Sequence, residues 1–280
     1  MSQIALFKVA LAALLAIVPA CMWGYIFYKK QVGKKSMHLI TFIAGAVFVA
    51  PLLAYKYLWQ FFPWLNAFAY TQNFKDDPIG FANITTIPFE VLLTFLIVGV
   101  IEEIAKFMAV RVSTHGKLAS IDDAIEASIT AALGFAFIEN IIYFYNIMTA
   151  RGPENLLYPF IFRSLFSTFA HVMFSGILGY YYGLAHFSKE VLQDSTQSKH
   201  WPIFRTLAKI FHFRKETTFK EEKVVQGLAT AVVLHALFNI FLEMNWTFLI
   251  VPYLTAGYIM LTYLMRKKED AKVYEANQVI

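Results

Sequence analysis

Long runs of apolar residues alternate with short polar segments along almost the whole chain. A helix needs about 20 mostly apolar residues to cross the hydrocarbon core of a bilayer. Seven runs meet that length, at approximately residues 4–28, 38–62, 87–111, 123–148, 156–187, 224–243 and 247–265. The pattern predicts an all-α fold, a polytopic transmembrane helical bundle with about seven spans, in a single membrane domain covering residues 1–280.

Basic residues are distributed unequally between the two sets of connections. The loop 29–37, the segment 188–223 and the C-terminal tail are rich in Lys and Arg, and the loop 112–122 has Lys117 with Arg111 at its edge, whereas the alternate connections hold only Lys75 and Arg151. Because cytoplasmic loops carry the excess of Lys and Arg in membrane proteins, we expect the N-terminus outside and the C-terminus in the cytoplasm. The sequence thus predicts a multi-pass integral protein of an inner or plasma membrane.

The composition supports a bilayer environment. Hydrophobic residues make up 58% of the chain and charged residues 15%, against about 45–50% and about 25% in soluble domains. A net charge of +5 would also suit a nucleic-acid partner, but the basic residues lie mostly in short loops, where they set orientation. We therefore expect the lipid bilayer and no nucleic acid as a partner. The single cysteine, Cys21, excludes an intramolecular disulfide and a Cys-built metal site.

Two longer connections have patterns of their own. The connection 59–86 is rich in aromatic residues, which is typical of a segment lying at the outer membrane interface. Segment 201–212 has apolar residues at helical spacing, with Arg205 and Lys209 outside that stripe. It predicts a cytoplasmic amphipathic helix that either rests on the inner leaflet or packs on the protein itself.

Ionisable residues stand inside the predicted spans, where each costs at least about 2.5–3.5 kcal/mol and is a functional hypothesis by default. The third span contains Glu102, Glu103 and Lys106. Their i,i+4 and i,i+3 spacings let the lysine neutralise one of the carboxylates. The pair can serve as a general acid or base, or it can simply mark the cytoplasmic end of the span.

The fourth and sixth spans each carry an ionisable residue and an amide. Glu139, followed by Asn140, lies sixteen residues beyond Asp123, about 24 Å along a helix, so it is too deep to reach the cytoplasmic surface and needs a partner. His235 and Asn239 are i,i+4 and share a face of the sixth span. They can donate two hydrogen bonds to one oxyanion or hydrogen-bond neighbouring helices.

The fifth span carries His171, followed by Ser175, Gly179 and Gly183 at i+4 steps. This row of small residues lets another helix approach closely on the histidine's face. Two histidines and three glutamates on four spans can meet only at the centre of a bundle, where they can activate water directly or through a bound metal. The chain has no His-Glu-x-x-His, Gly-x-Ser-x-Gly or Gly-rich phosphate motif, so the common zinc-protease, serine-hydrolase and nucleotide-binding readings have no support.

Four motifs in chain order resemble the motif set of the PrsW family. They are Glu-Glu-x-x-Lys at 102–106, Phe-x-x-x-Glu-Asn at 135–140, His-x-x-x-x-Gly at 171–176 and His-x-x-Phe-Asn at 235–239. That family belongs to a wider group of CAAX-protease and bacteriocin-processing membrane enzymes, and the resemblance covers about residues 87–245. It implies an intramembrane endopeptidase that cuts membrane-tethered, single-span protein substrates, such as anti-sigma factors.

The resemblance also implies catalytic roles for the first and last motifs. By analogy with the CAAX endopeptidases, Glu102 with His171 would polarise the attacking water. His235 with Asn239 would stabilise the tetrahedral oxyanion.

The remaining motif residues would support them. Glu103 and Lys106 would orient or tune the water-activating pair, and Glu139 with Asn140 would complete the polar pocket. The CAAX enzymes have a histidine where this chain has Glu139, so the role of that position is not carried over directly.

The family is also described as metallopeptidase-like, which implies a possible cofactor. One divalent metal such as zinc can be held by Glu102, His171 and His235, with a fourth position left for water. The sequence leaves a metal and a metal-free glutamate mechanism both open.

The predicted span edges conflict in depth. They place Glu102 nearer the cytoplasmic side and His171, eight residues after Arg163, towards the outer side. Either the edges are wrong, or the third helix is tilted or broken near Gly99.

Three alternative functions stay open at this point. One is a CAAX-type prenyl-protein or peptide-processing peptidase. The others are a proton-coupled transporter, although the chain lacks the duplicated halves frequent in transporters, and a non-catalytic membrane scaffold.

Overall fold

The computed structural model describes residues 3–28, 35–75, 78–81, 85–193 and 215–267, and these residues are mainly helical. The α-helices, numbered in chain order, are α1 (Gln3–Tyr28), α2 (Lys35–Val47), α3 (Ala50–Phe61), α4 (Ala67–Thr71), α5 (Phe89–Ser113), α6 (Ile121–Ala150), α7 (Leu157–Phe162), α8 (Thr168–His186), α9 (Ser188–Gln193), α10 (Lys215–Glu243) and α11 (Ile250–Lys267). A π-helical turn, Arg163–Ser167, joins α7 to α8. The predicted amphipathic helix at 201–212 lies outside the described residues.

Within the described ranges, six helical segments are long and apolar enough to cross a membrane. They are Gln3–Phe27, Ser36–Phe61, Ile121–Ala150, Pro153–His186, Glu216–Glu243 and Thr247–Lys267. This finding confirms an all-α polytopic bundle. The third predicted span corresponds to α5, which has 25 residues but contains Glu102, Glu103 and Lys106 and is therefore not among the six. The count of seven spans and the orientation of the termini stay predictions.

A small β-hairpin lies directly before α5 and is an addition to the predicted all-α class. Strand β1 (Pro78–Phe81) pairs antiparallel with β2 (Thr85–Pro88), with Ile79 opposite Ile87. The sequence analysis treated this stretch only as part of an aromatic connection. The β-branched residues of β2 favour an extended strand, and α5 begins as soon as β2 ends.

Helix α8 lies at the centre of the bundle and packs against α6, α10 and α11. Its small residues allow a very close approach to α6. A Cβ added to Gly179 would lie 2.7 Å from the Ile125 Cα, and one added to Gly183 would lie 2.8 Å from the Ile121 Cγ2. The close helix contact predicted from the row of small residues is therefore confirmed.

Candidate active site

The ionisable residues of the four predicted motifs meet in one polar cluster between α5, α6, α8 and α10. Glu103 and Lys106 have 0% and 1% of their surface exposed, and His171 and His235 have 5% and 3%. Charged groups at such burial need partners, because desolvation of an isolated charge is very costly. The cluster supplies those partners from different helices.

Glu103 is the carboxylate that Lys106 neutralises most directly. Its Oε1 lies 2.6 Å from the Lys106 Nζ and 2.8 Å from the His235 Nδ1, whereas the Glu102 Oε2 lies 3.8 Å from the Lys106 Nζ. A carboxylate can only accept, so His235 donates from Nδ1 and presents Nε2 to the rest of the cluster. Glu103 thereby fixes the orientation of the His235 ring.

His171 lies between Lys106 and Glu139. Its Nδ1 is 2.9 Å from the Lys106 Nζ, and its Nε2 is 2.9 Å from the Glu139 Oε2. An ammonium group has donors and no acceptor, so Nδ1 accepts and Nε2 carries the proton that faces the carboxylate. Glu139, which the sequence analysis expected to need a partner deep in the bundle, has one here.

Arg163 is a member of the polar cluster that the sequence analysis missed. Its Nη2 lies 3.1 Å from the Glu139 Oε2, and its Nε donates to the Asn140 Oδ1 at 2.5 Å. Asn140 in turn donates to the Thr168 Oγ1 at 3.1 Å. The available signal was an arginine within a predicted span, at 156–187, which the analysis used only as a marker of the outer side. An intramembrane arginine is better treated as a site residue with a partner to be found.

The conflict in depth between the third and fifth spans does not arise in the structure. Lys106 of α5 contacts His171 of α8 directly, and α5 is one continuous helix from Phe89 to Ser113. A break near Gly99 was therefore the wrong explanation. The sequence analysis placed His171 too near the outer side because it took Arg163 as the end of the span. Arg163 lies inside the cluster instead.

Glu102, His171 and His235 form a group that can hold a metal ion. One ligand atom from each lies within 4.8 Å of the other two, and the Glu102 Oε2 is 3.7 Å from the His235 Nε2. Tetrahedral zinc with bonds of about 2.0–2.2 Å holds neighbouring ligand atoms about 3.3–3.6 Å apart. The Glu102 Oε2 is buried without a hydrogen-bond partner, so this donor set fits a divalent cation once the three ligand atoms draw together.

Asn239 is separate from these contacts. It lies one turn beyond His235 on α10 and is half-buried. Among the described residues, it joins none of the hydrogen bonds that connect the cluster. The predicted oxyanion role of Asn239 thus stays a prediction.

The charged residues of the cluster differ in burial. The Glu139 side chain is 33% exposed and that of Glu102 is 14% exposed, whereas Glu103 and Lys106 are enclosed. Glu102 and Glu139 thus lie nearer the surface of the cluster than Glu103 and Lys106, although the Oε2 atoms of Glu102 and Glu139 are buried. The enclosed pair therefore supports the site from behind.

A helical membrane bundle that gathers two histidines and three glutamates into one cluster has the groups with which a membrane hydrolase can activate water. The sequence profile described as PrsW family intramembrane metalloprotease matches residues 33–265. The chain belongs to this family.

Curated relatives agree with the profile. The chain is 29% identical to Protease PrsW of Shouchella clausii over 182 residues, which cover 63% of this chain and 71% of the relative. It is 23% identical to Protease PrsW of Oceanobacillus iheyensis over 261 residues, which cover 91% and 94%. Protease PrsW of Bacillus subtilis is 25% identical over 171 residues, which cover 60% and 65%. No solved structure matches the chain significantly. The chain is thus an intramembrane peptidase and a multi-pass protein of the bacterial plasma membrane, as the resemblance predicted.

Proposed function

We propose that this protease hydrolyses single-span, membrane-tethered proteins, anti-sigma factors among them, with a divalent metal held by Glu102, His171 and His235. The observation that carries the proposal is the convergence of these three groups, from three helices, to within 4.8 Å. Three protein ligands of N and O type leave one position of a tetrahedral zinc for water, which is the usual arrangement of a catalytic site.

Each histidine has a carboxylate on the nitrogen that faces away from the proposed metal. Glu103 holds the Nδ1 of His235 at 2.8 Å, and Glu139 lies 2.9 Å from the Nε2 of His171. Such outer partners orient a metal-binding imidazole and raise its basicity. This arrangement favours the ligand role for His235, since the nitrogen left free, Nε2, then carries a lone pair.

The reaction in this proposal is attack of water on the scissile carbonyl. When bound, the metal would supply Lewis acidity, which lowers the pKa of water and polarises a carbonyl. With the metal bound, Glu102 and His171 would hold it beside the water; in the metal-free alternative they position the water directly, and the Glu102 carboxylate takes its proton and later gives it to the leaving amine. Asn239 donates its amide to the oxyanion, one turn from His235.

The other cluster residues position these groups. Asn140 and Arg163 hold Glu139 in place through the contacts at 2.5 Å and 3.1 Å. Lys106 compensates the charge of Glu103 at 2.6 Å. None of the three needs to touch substrate.

The position of the cluster favours a substrate that is itself in the membrane. The groups lie within helices that are otherwise apolar, so a peptide bond reaches them most directly from the bilayer. We further propose seven spans in one membrane domain, with α5 as the third span, the N-terminus outside and the C-terminus in the cytoplasm. The first span then begins on the outer side, as the distribution of Lys and Arg implies.

The test is cleavage of a single-span reporter by the purified protein in lipid nanodiscs, with bound zinc measured on the same preparations. Wild type is compared with Glu102→Gln and His235→Ala, and each has a matched control. Glu90→Gln changes a glutamate in the first turn of the same helix, and His115→Gln changes an exposed histidine between α5 and α6.

The expected result is cleavage and about one bound zinc for wild type and both controls, and loss of both in the two site variants. Removal of zinc by a chelator should abolish cleavage, and added zinc should restore it. Cleavage that persists in zinc-free wild type but is lost in Glu102→Gln would establish the metal-free glutamate mechanism. Unchanged cleavage in both folded site variants would refute the proposed site.

A further inference from the structure

Both ring nitrogens of His171 already have partners. Nδ1 lies 2.9 Å from the Lys106 Nζ, and Nε2 lies 2.9 Å from the Glu139 Oε2. A metal binds imidazole through a nitrogen lone pair, so it must take the place of one of these two partners. Binding at His171 therefore requires that the ring give up either Lys106 or Glu139.

The surroundings of Glu139 indicate that it stays. Its Oε2 is also contacted by the Arg163 Nη2 at 3.1 Å, which holds the carboxylate in position. A carboxylate on the far nitrogen is the usual partner of a metal-bound histidine, and His235 has the same arrangement with Glu103 at 2.8 Å. The nitrogen that remains for the metal is Nδ1, where Lys106 is bound.

Lys106 occupies the position of a cation in this cluster. Its Nζ lies 2.6 Å from the Glu103 Oε1 and 3.8 Å from the Glu102 Oε2. The ammonium also lies 4.8 Å from the centre of the Phe135 ring, and its side chain is 1% exposed. Lys106 thus contacts two of the three groups that would bind the metal, His171 and Glu102.

We propose that Lys106 is a built-in competitor of the metal: its contact with the His171 Nδ1 and metal binding at that nitrogen exclude each other. The inference rests on the metal site proposed above. Loading then moves the ammonium away from His171 while it stays beside Glu103. The lysine keeps the carboxylates compensated when no metal is bound, and it makes the affinity for metal weaker than the three ligands alone would give.

The first test is the zinc affinity of the full-length protein in detergent, measured by competition with a chromophoric chelator. Lys106→Met keeps the length of the side chain and removes the ammonium. Lys117→Met removes the same charge from the turn after α5, away from the cluster. We expect Lys106→Met to bind zinc at least about tenfold more tightly than wild type, because a hydrogen bond to a charged group is worth at least about tenfold in affinity, or about 1.4 kcal/mol. We expect Lys117→Met to match wild type.

The second test separates loss of the contact from the general effect of removing a charge. Spectra of protein labelled with ¹⁵N-histidine report on the His171 Nδ1, whose signal is assigned from its absence in His171→Gln. In metal-free protein the signal should differ between wild type and Lys106→Met, because the contact is present only in the former. In zinc-loaded protein the two should coincide, because the contact is broken in both.

The outcomes distinguish this inference from the proposed function. Equal or weaker zinc binding by folded Lys106→Met, or zinc-loaded spectra that differ as the metal-free ones do, would overturn the competition. Failure of wild type, Lys106→Met and Lys106→Gln to bind zinc, although all three are folded by circular dichroism, would refute the metal site itself. Lys106→Gln serves as the second variant if Lys106→Met does not fold.

Discussion

Gly99 of α5 packs against the main chain of Val232 of α10. A Cβ added to Gly99 would lie 3.0 Å from the Val232 carbonyl oxygen. Glu102 follows three residues after Gly99, and His235 follows three residues after Val232. This close contact between the two helices thus lies beside two of the proposed metal ligands, and it influences how far apart their side chains begin.

Substitution of Gly99 should therefore affect the site more as the new side chain grows. We expect Gly99→Ala to retain most activity after a shift of a few tenths of an ångström. Gly99→Leu should lower kcat/KM more than tenfold and destabilise the fold by about 1–3 kcal/mol, as overpacking does. Reporter cleavage and unfolding curves give both quantities. Val100→Leu, on the exposed face of the same helix, is the control. An equal loss of activity in Gly99→Leu and Val100→Leu would contradict the explanation.

The Glu103–Lys106 pair should dominate the effects of mutations on stability. Glu103→Gln leaves the ammonium buried beside a neutral amide, and loss of one partner of a buried pair costs about 3–5 kcal/mol. The double variant Glu103→Gln with Lys106→Met removes both charges and should recover part of that loss. Equilibrium unfolding in detergent measures the free energies. A Glu103→Gln protein as stable as wild type would show that the pair contributes nothing to the fold.

Arg163 should act on catalysis through Glu139 and His171. Arg163→Met leaves the Glu139 carboxylate without its cation, so we expect metal affinity and kcat/KM to fall about 10- to 100-fold, the usual effect of an outer partner of a metal ligand. Arg163→Lys should restore part of both. Arg151→Met, at the exposed end of α6, is the matched control. A loss of stability without a loss of metal affinity would assign Arg163 a purely structural role.

Gly179 should be far less tolerant of substitution than Gly116. A Cβ on Gly179 meets the Ile125 main chain at 2.7 Å, and backbone atoms cannot move aside as a side chain can. We expect Gly179→Val to cost more than about 3 kcal/mol, above the usual range for overpacking. Gly116 has a φ of +68° and no atom within 4 Å of an added Cβ, so Gly116→Ala should cost about 1–2 kcal/mol of backbone strain and no activity. Thermal unfolding of the two variants tests this order.

The orientation can be tested with cysteine labelling, because the chain has only Cys21 to remove. In a Cys21→Ser background, Glu154→Cys should react with a membrane-impermeant maleimide in intact cells. Lys117→Cys should react only after the cells are permeabilised. The reverse pattern would place the N-terminus in the cytoplasm, and labelling of both in intact cells would show that the two loops lie on the same side.

Much of the bundle follows from hydrophobicity alone, because a membrane requires long apolar helices and makes each polar residue in them expensive. The eight predicted site residues stood out in the sequence because they are polar residues within predicted spans, where such residues are costly. Their cluster also explains how α5 holds Glu102, Glu103 and Lys106 in one apolar helix, since Lys106 lies beside both carboxylates. The β-hairpin, in contrast, depends on local pairing of Ile79 with Ile87, which has no clear signature in a four-residue strand.

The partners of the site residues were harder to predict than the residues themselves. The spacing allowed Lys106 to pair with either Glu102 or Glu103. Lys106 pairs more closely with Glu103 because α5 packs against α10, where His235 holds the Glu103 carboxylate in place. Arg163 was misassigned because an arginine near the start of a span can equally well reach the membrane surface. Hydropathy does not indicate whether such an arginine reaches the membrane surface or is buried in the protein.

The π-helical turn at Arg163–Ser167 has a consequence for the phase of the helix around it. Arg163 and His171 are eight residues apart, and in a regular α-helix eight residues end about 80° past two full turns. A π turn closes from i to i+5 and accommodates one additional residue, so the two behave as if they were seven apart, close to two whole turns. Both side chains then reach the same oxygen of Glu139. Conversion of this turn to a regular α-helix with all its residues kept would rotate Arg163 about 80° out of phase with His171, although every polar residue of the site would still be present, whereas deletion of a single residue from the turn would keep the two side chains in phase.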